Sequence, residues 1–184
     1  MSHTAEFFEF YRDKMLFENM GPNAAHFYLA ELEKVGKLKA VITQNIDGLH
    51  SAAGSQTVCE LHGSVWRNYC MSCEKAYTTD VIKNSQGIPR CDCGGIIKPD
   101  VVLYQEALDE AVVQKALHFI SQADTLIIGG TSLKVYPAAG FINYFKGKNL
   151  VLINREATQA DGTASLVIHS PIGEVFKKIS ESKE

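Results

Sequence analysis

The stretch Thr43-Gln44-Asn45-Ile46-Asp47-Gly48-Leu49-His50 decides how this chain is read. It follows the apolar run Leu38 to Ile42, and Lys39 to Thr43 reads as a strand. Polar side chains this dense at the carboxyl end of a strand mark the place where open parallel sheets put ligands. Gln44, Asn45 and Asp47 offer amide and carboxylate groups there. His62, in the later cluster Leu61-His62-Gly63-Ser64, offers an imidazole, the side chain most often used as a general base. Turn chemistry reads the same residues differently, since Asn-x-Asp-Gly is a good loop and a lone histidine is often structural.

Working outward, Ala5 to Phe17 reads as an amphipathic helix with Phe7, Phe8, Tyr11, Met15 and Leu16 as its apolar positions. Gly21-Pro22 breaks it. Pro22 suits the first turn of a second helix, Asn23 to Val35, which Gly36 ends. Thr57 to Leu61 is a short strand. Helices are expected over Asp109 to Gln122, Pro137 to Phe145 and Ile172 to Ile179. Buried strands are expected over Thr125 to Ile128 and Asn149 to Ile153, and a final strand over Leu166 to Ile168. Strands alternating with helices imply an α/β fold with a doubly wound, parallel, Rossmann-like sheet. Residues 67–98 differ in character, with clustered cysteines and few large apolar side chains. They read as a small inserted module between 1–66 and 99–184.

Hydrophobic residues make up 46% of the 184, enough for a core, and the net charge is −3. That balance gives no support to a nucleic-acid or membrane-surface partner. No apolar run approaches the length of a bilayer span, and the first residues lack a signal-type pattern, so a cytoplasmic location is expected.

Cys70-x-x-Cys73 and Cys91-x-Cys93 form two close pairs separated by a loop, while Cys59 stands apart. Each pair can supply two thiolates from one tight turn, which suits tetrahedral Zn²⁺. Four thiolates leave no open position, so the metal is expected to be structural. Lys75, Lys83, Arg90 and Lys98 are balanced by Glu74, Asp80, Asp92 and Asp100, which argues against a phosphate-binding face. Gly129-Gly130-Thr131-Ser132-Leu133 follows an expected buried strand and precedes the helix expected from Pro137. Small residues there let backbone N–H groups and hydroxyls approach a phosphate, although such a sequence is often only a turn.

Thr43 to His50 and Glu60-Leu61-His62-Gly63-Ser64, in this order and ahead of a cysteine quartet, resemble the sirtuins, the NAD-dependent protein-lysine deacylases. The resemblance runs from about Glu6 to the end of the chain. Gly130 through Ala138 matches the family's Gly-Thr-Ser-Leu-x-Val-x-Pro-Ala pattern. Lys98-Pro99-Asp100-Val101-Val102-Leu103-Tyr104-Gln105-Glu106 resembles its acyl-lysine channel segment, with Tyr104 in place of the usual Phe and Gln105 in place of the usual Gly. The chain lacks the family's amino-terminal Gly-Ala-Gly-x-Ser strand and loop and the Gly-Ile-Pro-Asp-Phe-Arg segment after it. An exposed sheet edge, a route to self-association and weakened NAD binding are expected consequences.

The resemblance implies NAD as co-substrate, acetyl-lysine protein or peptide as substrate, and free lysine, nicotinamide and O-acetyl-ADP-ribose as products. It assigns proton abstraction to His62, with Asn45 and Asp47 orienting ribose and carboxamide, and Gln44 and Ile46 beside them. Gly130, Thr131 and Ser132 would line the phosphates and ribose, and Asn154 the adenine ribose. Val101, Val102 and Tyr104 would meet the acyl-lysine, with Val102 accepting from its amide. Sirtuins that prefer succinyl or malonyl groups carry Tyr-x-x-Arg on the first helix. Tyr11-Arg12-Asp13-Lys14 offers an ammonium instead of the bidentate guanidinium, which points to acetyl. One alternative differs in class from an intact deacetylase: a truncated, catalytically impaired module that only binds acyl-lysine peptides; a second, within enzymes, is a mono-ADP-ribosyltransferase using the same residues.

Overall fold

A computed structural model describes residues 3–16 and 20–182. The chain divides into two compact units, the first comprising Met1–Met20, Asn45–Gly48 and His62–Leu108, and the second Gly21–Gln44, Leu49–Leu61 and Asp109–Glu184. The predicted end of the first helix, Phe17, lies outside the described residues.

The first unit begins with helix α1 (Thr4–Phe10), which runs into a π-helical turn at Tyr11–Met15. Phe8 and Tyr11 are both 1% exposed and join Val65, Ile82, Ile97 and Val101 in one core cluster. Burial of this kind contributes about 1.5–3 kcal/mol for each large apolar side chain. The long strand β3 (Gly63–Cys70) pairs antiparallel with β4 (Ala76–Tyr77) on one side and with β5 (Ile97–Val101) on the other. A shift of register between Ser64 and Asn68 interrupts the β3–β5 ladder. The short helix α4 (Thr79–Lys83) sends Ile82 into the core.

The second unit contains the parallel strands. β1 (Val41–Thr43) pairs with β2 (Val58–Glu60), and β6 (Thr125–Gly129), β7 (Asn149–Ile153) and β8 (Leu166–Ile168) form a second ladder in that order. The doubly wound α/β class expected from the alternation is present. Among the described residues, however, its parallel strands form two ladders and not one continuous sheet. The expectation that β6 is buried does not hold: its positions are exposed or half-buried, with Ile127 40% exposed, because the apolar cluster of this unit gathers on β7.

Helix α2 (Ala24–Lys34) starts at Asn23. The Asn23 side chain accepts from Ala25 N at 2.9 Å, while His26 Nδ1 accepts from Asn23 N at 3.1 Å. Asn23 is thus the cap, so Pro22 precedes the helix and does not occupy its first turn. Gly36, at φ 72°, ends it. A short helix α3 (Leu49–Ala52) lies between β1 and β2 in the chain, and Asp109 caps α5 (Glu110–Gln122) by accepting from Val112 N at 2.9 Å. The segment expected as a helix over Pro137 to Phe145 is a 3-10 helix at Ala138–Tyr144. Helix α2 packs against α6 (Ile172–Glu181), with the Tyr28 and Phe176 rings 5.3 Å apart beside Ile153. No helix among the described residues is long and apolar enough to cross a membrane.

Candidate functional site

In the first unit the segment Asn45–Gly48 is fastened to β3 at two points. Val65 N donates to Ile46 O at 3.0 Å, and the Trp66 indole Nε1 donates to Asp47 O at 2.7 Å. Gly48 has φ 70°, and a Cβ there would lie 2.7 Å from Trp66 Cδ1. Glycine is therefore what lets the chain turn beneath the indole. Asn45 is exposed, and Ile46 and Asp47 are half-buried. The sequence reading did not single out Trp66; an aromatic residue soon after Leu61-His62-Gly63 was the available signal.

His62, half-buried, immediately precedes β3, and its backbone O accepts from Val102 N at 3.0 Å. Gly63 makes this approach possible. It sits at φ 74°, and a Cβ there would stand 1.9 Å from Asp100 O. The candidate base and the candidate substrate segment thus share one backbone joint. Val101 is buried, Val102 half-buried and Tyr104 fully exposed.

Beyond Val102, Glu106 N donates to Leu103 O at 3.0 Å, closing a turn in which Gln105 adopts φ 72°. A positive φ at this position is the signature of a type II turn, where glycine is favoured. Gln105 therefore keeps the shape that glycine would give, at the cost of local strain. Burial alone would raise the Glu106 carboxyl, but the Leu103 N–H and the Lys98 ammonium outweigh it and hold the group below the ordinary carboxylate value. On the first helix, Tyr11 is core and Lys14 is exposed beside Asp13, at 2.8 Å.

The four clustered cysteines converge. Their Sγ atoms all lie within 4.8 Å of one another, with Cys70–Cys93, Cys73–Cys93 and Cys73–Cys91 at 3.5, 3.5 and 3.6 Å. Four thiolates about 2.3 Å from a tetrahedral Zn²⁺ would be about 3.8 Å apart, so the quartet fits the ion. Gly95 leaves the room this needs, since a Cβ there would meet Cys70 Sγ at 2.6 Å. The Tyr77 hydroxyl donates to Cys91 Sγ at 2.9 Å, and this bond is the main reason the Cys91 thiol is drawn down to about 6. A thiol so lowered is closer to the thiolate that a metal requires. Cys59 is buried apart from the quartet.

In the second unit, Gln44 follows β1 and is half-buried. The turn after β6 has Gly130 at φ 64° and Leu133 at φ 54°, with Leu133 N donating to Thr131 Oγ1 at 3.2 Å. Ser132 is exposed. Asn154 follows β7; its Nδ2 donates to Glu156 O at 2.9 Å, so part of its side chain serves the local turn.

A cavity of about 500 Å³ opens at this end of the ladder, lined by Gly130, Ile153, Asn154, Arg155, Ser170, Ile172 and Lys177 among others. Its size falls within the range of small-molecule sites. The sequence reading missed Arg155, Ser170, Ile172 and Lys177. The available signal was position: Ser170-Pro171-Ile172-Gly173 leaves the carboxyl end of a parallel strand.

Residues 1–137 match the Sir2 family. The chain is 59% identical over 180 residues to an NAD-dependent protein deacetylase of Clostridium acetobutylicum, covering 97% of this chain and 74% of the relative. It also resembles a solved Sir2–p53 peptide–NAD+ complex, with TM-score 0.92 and 41% identity, covering 99% of this chain and 79% of that one. A complex of Sir2 with an inhibitor, 2'-O-acetyl-ADP-ribose and a deacetylated p53 peptide matches at TM-score 0.92 and 39% identity, covering 99% and 81%. The family match spans well over half of the chain and the bacterial relative far exceeds chance identity, so this chain belongs to the Sir2 family.

Proposed function

We propose that this chain removes acetyl groups from protein lysines with NAD as co-substrate, and that His62 is its general base. The observation that carries this reading is the joint between His62 O and Val102 N at 3.0 Å. It ties the residue that would move a proton to the strand that would hold the acyl-lysine, so that a peptide registered on that strand is registered on the base. General-base catalysis depends on such positioning.

The residues divide the work. An extended acetyl-lysine peptide adds beside Val101, Val102 and Tyr104 through main-chain hydrogen bonds, with the Val102 carbonyl accepting from the acyl-lysine amide. Asn45 and Asp47, with Gln44 and Ile46 beside them, orient ribose and carboxamide. Gly130, Thr131 and Ser132 offer N–H and hydroxyl groups to phosphate. The cavity beside Asn154 takes the adenosine portion, its wall carrying Arg155 and Lys177 against the single carboxylate of Glu174. Bound NAD supplies the ribose carbon that accepts the acetyl oxygen as nicotinamide leaves. His62 would take a proton from a ribose hydroxyl so that its oxygen attacks the acyl carbon, and one water molecule would then add there and expel the lysine amine, leaving O-acetyl-ADP-ribose and free lysine. Cys70, Cys73, Cys91 and Cys93 would hold Zn²⁺, whose part is to cross-link the segment 67–98 as an inserted module.

The test is His62→Ala assayed by mass spectrometry on an acetyl-lysine peptide. Turnover is expected to fall by about 10²–10⁴-fold, the usual worth of a positioned acid or base, while peptide binding persists. Unchanged turnover would remove His62 from the role. Transfer of label from NAD to protein in place of deacetylation would favour ADP-ribosyl transfer. Peptide binding with no NAD-dependent turnover by the parent chain would leave the binding-module reading.

A further inference from the structure

Lys98 is a lysine inside a core. The residue is 6% exposed, and its ammonium is held by two acceptors, Val101 O at 3.0 Å and Glu106 Oε2 at 2.9 Å. The same Glu106 oxygen accepts from Leu103 N at 2.9 Å. The Glu106 side chain remains 40% exposed, so one end of the pair faces water. Burying a lysine ammonium is costly unless it is paired and hydrogen-bonded, and an apolar side chain of similar volume would fill the same space without that cost. The pair therefore needs a reason other than bulk stability.

Its geometry supplies one. Val101 O, Leu103 N and Glu106 are the beginning, middle and end of one loop, and all three converge on the Lys98 ammonium and a single carboxylate oxygen. The loop is anchored at its start by the Val102 N to His62 O bond and turns through Gln105 at φ 72°. A strained turn of this kind persists only where its surroundings over-determine it. Tyr104, carried at the tip of the loop, is fully exposed and contributes nothing to the core.

We infer that Lys98 and Glu106 are positioning residues, a clamp buried at its lysine end that holds residues 101–106 in the shape required by an acyl-lysine peptide. The inference rests on the reading of that segment as the substrate strand. Neither residue touches the reacting atoms. Lys98 neutralises the end of the loop, and Glu106 fixes the Leu103 amide, so that the Val102 carbonyl is held for the peptide while the Val102 N–H stays on His62 O. Loosening the clamp should cost peptide affinity and leave the handling of NAD alone.

The experiment compares Glu106→Ala, Glu106→Gln and Lys98→Met in the full chain. Binding of a fluorescent acetyl-lysine peptide is read by anisotropy, and KM and kcat are read for peptide and NAD separately. Glu106→Ala is expected to weaken peptide binding and raise peptide KM about tenfold, as loss of a charge-assisted bond would, with kcat within about threefold and NAD KM unchanged. Glu106→Gln keeps an acceptor for Leu103 N and should recover part of the loss. Lys98→Met combined with Glu106→Ala should cost no more than the larger single effect. If peptide affinity is unchanged, or if peptide KM, NAD KM and kcat all shift together, the clamp is a structural pair only and the inference falls. Should Glu106→Ala lose its zinc and fail to fold, the near-isosteric Glu106→Gln decides by the same split. A parent chain that binds no acetyl-lysine peptide overturns the functional reading itself, whereas a parent that binds beside an unaffected Glu106 variant overturns only the clamp.

Discussion

Ile97 in β5 of the first unit and Ile127 in β6 of the second both occupy apolar strands, yet Ile97 is fully buried and Ile127 is 40% exposed. The first unit closes its core with Phe8, Tyr11, Ile82 and Ile97 packed up to Cys70 and Cys91 of the cysteine quartet. The second covers β7 with Tyr28 and Phe176 but leaves β6 alternating between exposed and half-buried positions. An apolar run therefore reports a tendency to be buried, and the surrounding elements decide whether the burial is realised. The first unit sets a cysteine quartet suited to a metal ion against its core; the second depends on ladder bonds and helices packed on one part of its sheet.

The largest test of this contrast is removal of the metal. Zinc binding in small metal-folded units contributes on the order of 10 kcal/mol to folding. Chelation, or Cys70→Ala, is expected to abolish amide-exchange protection across β3 and β5 while β7 keeps most of its own. Equal loss in both would show that the two regions unfold as one cooperative body, and the contrast would be wrong.

Next in size is Gly63→Ala. The added methyl has no space beside Asp100 O and would sit at φ 74°. A loss of more than about 2 kcal/mol is expected, seen as a lower denaturant midpoint, together with impaired turnover because His62 precedes the displaced backbone. An alanine variant with parental stability would mean that the β3–β5 joint is not rigid. Smaller still is the paired comparison of Ile97→Ala with Ile127→Ala. The first should cost about 2–5 kcal/mol and the second under about 1, because a cavity forms only where neighbours enclose the side chain. Comparable costs would show that β6 is covered in solution.

The same contrast explains what the sequence made legible. β7 and β8 were expected at the bounds observed, and β1, β2, β6, α2, α5 and α6 within a residue or two, because their apolar periodicity is local. The cysteine quartet was legible from spacing alone, since thiolates have few other uses in paired turns. The antiparallel strands β3, β4 and β5 were not expected at all. Trp66, Arg67 and Asn68 interrupt the alternation in β3, the register shifts beside them, and Pro99 sits within β5, so neither strand carries a clean period of two. The cavity wall was missed for a different reason. Arg155, Ser170 and Lys177 come from separate segments, and only the parallel ladder brings them to one end.

The finest test concerns two non-glycine residues in the left-handed region, one in each unit. Gln105 has φ 72° in the candidate substrate turn and Leu133 has φ 54° after the candidate phosphate turn. Both should gain about 1 kcal/mol of backbone relief on replacement by glycine, set against some loss of conformational entropy. Their side chains separate them. Gln105 is exposed and loses nothing else, so Gln105→Gly is expected to be neutral or to stabilise the chain by a few tenths to about 1 kcal/mol. Leu133 is 7% exposed, and its removal forfeits about 1.5–3 kcal/mol of burial, so Leu133→Gly should destabilise on balance. Thermal midpoints of the two variants should move in opposite directions. If both rise, the Leu133 side chain is not held in a core; if both fall, strain at Gln105 is too small to matter, and that turn is set by Lys98 and Glu106 without opposition from its own backbone.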